Sequence, residues 1–212
     1  NKQPEDYTWV EAKVLNWAKP PQEIPVEITK IIGDSQNPKM DLQIISSKYA
    51  LNLNFPETVI NELNKLKTEG NSSNNLRIDL TQLNTITIDP ASAKDHDDAI
   101  SIQKINNNYE IGIHIADVSE FVRQGSLLDK EALRRGTSVY FPDHCIPMLP
   151  EEISNGICSL KESEDRFALS LLVEINSKYE VINYKIIESL INVNKKYSYL
   201  EIFNIEKEDI FY

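Results

Sequence analysis

Between Thr85 and Ile102 the sequence alternates, breaks and alternates again, and the break carries four aspartates within ten residues. Ile86 and Ile88 alternate with Thr85 and Thr87, and Ala99-Ile100-Ser101-Ile102 starts a second run of period two. That period belongs to half-buried strands, so the stretch predicts two strands joined by a loop that holds Asp89, Asp95, Asp97 and Asp98. Four negative charges so close together repel one another and are costly to desolvate, and a cation is the simplest way to neutralise them. Carboxylate oxygens select hard cations. Mg²⁺ is characteristically bound by one or two carboxylates with water and substrate phosphate, and Mn²⁺ substitutes for it.

Two other readings compete. A Ca²⁺-binding helix–loop–helix fails on position: counting Asp95 as the first ligand, the sixth residue is Ile100 instead of Gly and the twelfth is Asn106 instead of Glu. A plain solvated acidic turn between strands is the second. Against it stand Pro90, Ala91, Ala93 and Ala99, small or rigid neighbours that let a ligand of backbone size approach.

Elsewhere the pattern is that of a mixed α/β chain. Residues 1–45 read as strands broken by turns, with Trp9 to Val14 alternating loosely and Val26 to Asp34 forming a strand that ends in a turn. This is too little chain for a complete small barrel. Residues 54–67 predict a helix, with Pro56 at its start and Val59, Ile60, Leu63 and Leu66 on one apolar face. The polar, breaker-rich residues 68–75 are the best internal boundary. Asn106-Asn107-Asn108 predicts a hairpin turn between residues 99–105 and 109–118, with Ile111, Ile113 and Ile115 sharing one face. His114 then lies on the opposite face and reads as structural. Ser126 is a good N-cap for residues 127–135, with Asp129 in the first turn and Arg134 and Arg135 in the last. Residues 167–175 and 179–191 are strands joined at Asn176-Ser177-Lys178.

Composition narrows the class. A chain of 212 residues with 41% hydrophobic and 26% charged residues has an ordinary globular make-up, enough for one large or two small domains. No apolar run approaches a membrane span, so no membrane partner is expected. Cys145 and Cys158 belong to no CxxC pair and fit reduced, buried thiols in the cytoplasm. The start has neither the basic nor the apolar part of a signal peptide; a first residue of Asn fits a processed chain or a fragment, and the ordinary amphipathic segment before Tyr212 leans towards a fragment. The net charge of −11 argues against a surface that coats nucleic acid, yet leaves open a site that holds phosphate through a divalent metal.

Several blocks, in order, carry a resemblance: Thr87-Ile88-Asp89, Asp95-His96-Asp97-Asp98-Ala99, His114-Ile115-Ala116-Asp117-Val118-Ser119 and Leu128-Asp129-Lys130-Glu131-Ala132. Arg135-Gly136-Thr137-Ser138-Val139-Tyr140, Ile146-Pro147-Met148-Leu149-Pro150-Glu151, Ser154-Asn155, Cys158-Ser159-Leu160 and Asp165-Arg166-Phe167-Ala168-Leu169-Ser170 continue it. Together they resemble the ribonuclease II/ribonuclease R family of exoribonucleases, and the ribonuclease R branch most closely. The resemblance implies a processive 3′→5′ hydrolase that degrades single-stranded RNA to nucleoside 5′-monophosphates, monomeric as a full-length protein. It matches Asp89, Asp95, Asp97 and Asp98 to the family's catalytic, Mg²⁺-binding aspartates, with Asp89 and Asp98 as direct ligands and Asp97 as the residue whose loss stops cleavage but spares RNA binding. Tyr140 matches the tyrosine that stacks on the 3′-terminal base. Arg134, Arg135 and Arg166 are candidate RNA contacts, each with a structural alternative: a helix end for the first two, loop ordering beside Asp165 for the third. The implied organisation is a partial OB-like cold-shock module at 1–45, a helical connector at 46–75 and the N-terminal part of an RNB catalytic domain at 76–212. A non-catalytic, RNA-binding or regulatory family member is the alternative, and the intact aspartates and Tyr140 speak against it.

Overall fold

The computed structural model describes residues 6–17, 19, 22–37, 40–69, 77–142 and 144–205. The chain divides into two compact units, Asn1–Phe55 with Arg135–Met148, and Pro56–Arg134 with Leu149–Tyr212. The polar link expected at 68–75 lies mostly outside the described residues.

In the first unit, β1 (Thr8–Val14) pairs antiparallel with β2 (Val26–Asp34), with Thr8 opposite Asp34 and Val14 opposite Val26. Val26, Ile28 and Ile31 remain exposed, as a two-stranded sheet has too few neighbours to bury both faces. Residues 41–45, read from sequence as the end of a stretch of strands and turns, instead open the helix α1 (Asp41–Lys48), whose Asp41 and Lys48 each suit the dipole at their own end.

The second unit opens with α2 (Glu57–Glu69). Pro56 precedes it and its carbonyl accepts from the Val59 and Ile60 N–H groups. Val59 and Leu63, one turn apart, are buried as the apolar face required. The short β3 (Ile78–Asp79) follows, then β4 (Thr85–Asp89), β5 (Asp98–Ile105) and β6 (Asn108–Ala116). Asn106 turns the β5–β6 hairpin in the left-handed region at φ 55°, tolerated by its short polar side chain. β6 ends at Ala116, two residues before the expected limit, because the Asp117 N–H turns to the Phe167 carbonyl and Val118–Glu120 coils into a 3₁₀ turn. Ser126 caps α3 (Leu127–Arg135) as expected, its Oγ accepting from the Asp129 N–H at 3.0 Å.

The hairpin of β7 (Val139–Tyr140) and β8 (Cys145–Ile146) belongs to the first unit. A π turn at Glu152–Ile157 leads to β9 (Asp165–Ile175), and β10 (Val181–Asn192) returns beside it. β10 starts two residues later than the sequence predicts. Tyr179 sits at φ 63° in the turn, and the Asn176 side chain accepts from the Lys178 and Glu180 N–H groups. β11 (Lys195–Ser198) and α4 (Tyr199–Asn204) finish the described chain, α4 opening with a capping box between Ser198 and Glu201.

The second unit's sheet runs β11-β4-β5-β6-β9-β10-β3, antiparallel except for the two outer pairs, β11–β4 and β10–β3. Its two faces differ. One carries Ile113, Ile115, Leu169 and Ile186, all exposed. The other carries small or polar side chains that are buried: Ala99, Ser101, His114, Ala168, Ser170 and Ser189. His114 is fully buried there, on the face opposite its isoleucine neighbours as alternation demands. Its Nε2 lies 2.9 Å from Ser101 Oγ and its Nδ1 2.6 Å from Ser170 Oγ. Ser170 Oγ bonds Ser189 Oγ at 2.6 Å, and Ser189 donates to the Ala168 carbonyl at 3.2 Å. Gly112 makes room for this row, since a Cβ there would come within 2.3 Å of Ser101 Oγ and 2.5 Å of His114 Nε2.

Candidate functional site

The aspartate loop sits where two strands part. β4 and β5 pair only at Thr85–Ser101 and Ile86–Ile100. Beyond that β4 continues beside β11, placing Asp89 opposite Ser198, while β5 is held by β6, placing Asp98 opposite Ile115. Residues 90–97 fill the gap without a ladder of their own, so their backbone groups need partners from outside. The Ala93 N–H closes a turn onto the Pro90 carbonyl at 2.9 Å. Lys196 Nζ donates to the Ala93 carbonyl at 3.0 Å. Ser159 Oγ donates to the Lys94 carbonyl at 2.9 Å and accepts from the His96 N–H at 3.1 Å. The Leu160 N–H reaches the His96 carbonyl and the Ala116 N–H the Asp97 carbonyl, each at 2.9 Å. The loop is thus held by three separate segments of the chain.

Its charges interact. Asp97 is held above the ordinary carboxylate range, first by partial loss of water around it and then by repulsion from Asp95, Asp98 and Asp89, with His96 acting in the opposite sense. His96 is buried, and its Nδ1 lies 2.7 Å from Asp89 Oδ2. The donor set therefore suits a hard divalent cation in its chemistry: four carboxylates that raise one another's energy. Among the described residues no group of three or more His, Cys, Asp or Glu side chains is gathered to hold a metal ion. The four aspartates share a field without forming a closed cage.

The other predicted residues fall as follows. Tyr140 ends β7 in the first unit and is 71% exposed. Arg134 binds Glu131 on its own helix through two bonds, Nε at 2.8 Å and Nη2 at 2.5 Å. Arg135 donates to the carbonyls of Pro147 and Asn54 and stacks over the Phe55 ring at 3.7 Å. Arg166 donates to the carbonyls of Ser159, Asp165 and Gly156 and pairs with Glu164. Through Ser159, Arg166 orders the segment that pins the aspartate loop. Both cysteines are free thiols; Cys158 is buried as expected and Cys145 is half-buried on β8.

Sequence reading gave no role to Ser159 or Lys196, whose partners lie 65 and 103 residues away. It also passed over Arg77. That guanidinium is buried above the Phe167 ring and its Nη2 binds Asp117 at 2.6 Å and Glu120 at 3.1 Å. Contacts at such separations leave no local pattern to read. His96 had a signal, its place among the aspartates.

Residues 77–209, more than half of the 212-residue chain, match the RNB domain. The chain belongs to the RNB-domain family. The ribonuclease R of Thermotoga maritima is 42% identical over 192 residues, covering 89% of this chain and 27% of that protein. The structure of Mycoplasma genitalium RNase R in complex with double-stranded RNA aligns with a TM-score of 0.83 at 26% identity, over 95% of this chain and 36% of that one. Yeast Ssd1, described as a pseudonuclease, aligns with a TM-score of 0.75 at 17% identity, over 96% of this chain and 27% of that one, a likeness of fold alone. The mixed α/β architecture closely matches the corresponding part of the ribonuclease R structure. This RNB-domain chain spans well under half the length of the relatives it matches.

Proposed function

We propose that this chain is the metal-binding portion of a 3′→5′ exoribonuclease that hydrolyses single-stranded RNA processively to nucleoside 5′-monophosphates in the cytoplasm. The observation that carries the proposal is the loop of Asp89, Asp95, Asp97 and Asp98, fixed from outside and with its carboxylates repelling one another. The fold alone would not suffice, since a pseudonuclease shares it.

Asp89, Asp95, Asp97 and Asp98 would hold Mg²⁺, with Mn²⁺ as a substitute. When bound, the metal supplies an activated water for attack on phosphorus and stabilises the leaving 3′-oxygen. The chain's own part is positioning. Ser159, Leu160, Ala116 and Lys196 fix the loop backbone, so gathering the carboxylates around a metal would call on their side chains and not on the backbone. Tyr140 offers an exposed ring on which the 3′-terminal base stacks, a contact tolerant of sequence. Arg134, Arg135 and Arg166 already have internal partners, and a role in RNA binding would exchange some of those bonds for contacts to phosphate. Residues 1–45 would supply the closing part of a cold-shock OB module that precedes the catalytic domain.

The test is degradation of a 5′-labelled, 3′-tailed single-stranded RNA by the full-length, monomeric protein. Shortening with Mg²⁺, arrest by EDTA and release of monophosphates are expected. Asp97→Asn should abolish cleavage and keep RNA binding; continued cleavage by that variant would falsify the role of Asp97. Tight RNA binding without any release of monophosphates would favour a non-catalytic family member instead.

A further inference from the structure

His96 stands among the aspartates yet has no part in the function proposed above. Its side chain is 5% exposed and that of Asp89 15%, so neither competes freely with water for the bond between them. A carboxylate oxygen only accepts, so His96 Nδ1–H is the donor to Asp89 Oδ2 at 2.7 Å. The backbone of His96 is fixed on both sides, by Ser159 Oγ at its N–H and by the Leu160 N–H at its carbonyl. Ser159 and Leu160 are themselves fully buried. The imidazole is therefore anchored to the second segment of the unit, independently of the strand end that carries Asp89.

We infer that His96 is a positioning residue: it holds one oxygen of Asp89 so that the other faces the metal. This rests on the proposal that Asp89 is a metal ligand. Free to rotate at the end of β4, the Asp89 carboxylate would have to be ordered each time a cation bound. Held by His96, it is ordered beforehand, and a partner of this kind supports metal affinity by about 10–100-fold. A merely structural ion pair would tie β4 to the loop with no effect on the metal.

The experiment uses Mn²⁺ alone as the probe, titrated by calorimetry into the full-length protein without RNA. Wild type should bind, and Asp89→Asn should weaken binding. His96→Leu should weaken it by about 10–100-fold while circular dichroism and thermal midpoint report a folded protein. His96→Asn places an amide nitrogen near the Nδ1 position and His96→Gln places one near Nε2. Asparagine should restore affinity to within about threefold of wild type and glutamine should not. This pair also decides the matter should His96→Leu fail to fold. Equal binding by the Asn and Gln variants, or wild-type affinity in a folded His96→Leu, overturns the role of His96. If Asp89→Asn binds as wild type, or wild type does not bind, the ligand assignment itself falls and the present inference with it.

Discussion

Acidification should destabilise this protein through His114 before its carboxylates are fully protonated. The tautomer follows from the network. The Ala168 carbonyl can only accept, so Ser189 donates to it, Ser170 donates to Ser189, and His114 Nδ1–H donates to Ser170. Nε2 is left to accept from the Ser101 hydroxyl. Every group is satisfied with the ring neutral, and no carboxylate in the row would welcome an imidazolium. Burial accordingly lowers the pKa from 6.5 to about 4. Because the folded pKa lies below the unfolded one, the unfolded chain binds the proton first. Stability is complete above about pH 6.5, falls as pH drops, and the loss is fully developed below about pH 4. The whole swing is about 3 kcal/mol, of which about 2 kcal/mol falls between pH 8 and pH 5, a large share of a typical domain's stability. The assay is urea unfolding at both pH values, followed by circular dichroism of the sheet. Trp9 and Trp17 are the protein's two tryptophans and both lie in the first unit, so their fluorescence would report on the wrong part. His114→Gln, which cannot titrate, is the reference, and wild type should lose about 2 kcal/mol more than it on going from pH 8 to pH 5. Parallel losses in the two proteins would refute the argument.

Two further predictions follow from buried groups. Arg77→Met removes the cation that Asp117 and Glu120 share above Phe167; the loss of that shared charge should cost about 3–5 kcal/mol in urea unfolding, and a change below about 1 kcal/mol would count against the triad. Cys158, buried and pushed up to about 12 by that burial and by Asp117, should resist iodoacetamide at pH 8 until the protein unfolds, while half-buried Cys145 reacts first. Peptide mapping after a timed exposure would separate the two, and prior labelling of Cys158 would contradict the packing.

What the sequence determined by itself was local and periodic. Alternation set β4, β5 and the face of His114, because successive side chains in a strand must point to opposite sides. The Ser126 cap and the apolar face of α2 were equally legible, each contained within a few residues. Strand ends were less so: β6 stopped at Ala116 only because the Asp117 N–H found the Phe167 carbonyl, a bond no local pattern encodes. The membership of residues 135–148 in the first unit was likewise decided by packing.

The aspartate stretch divides along the same line. That four carboxylates crowd a loop between strands is written in the residues 85–102 themselves. That Ser159 and Lys196 hold that loop, that His96 bonds Asp89, and that a serine from each of β5, β9 and β10 completes the row around His114, depends on register across the sheet. Period two fixes which face a side chain takes. Only the pairing of distant strands fixes what it meets there.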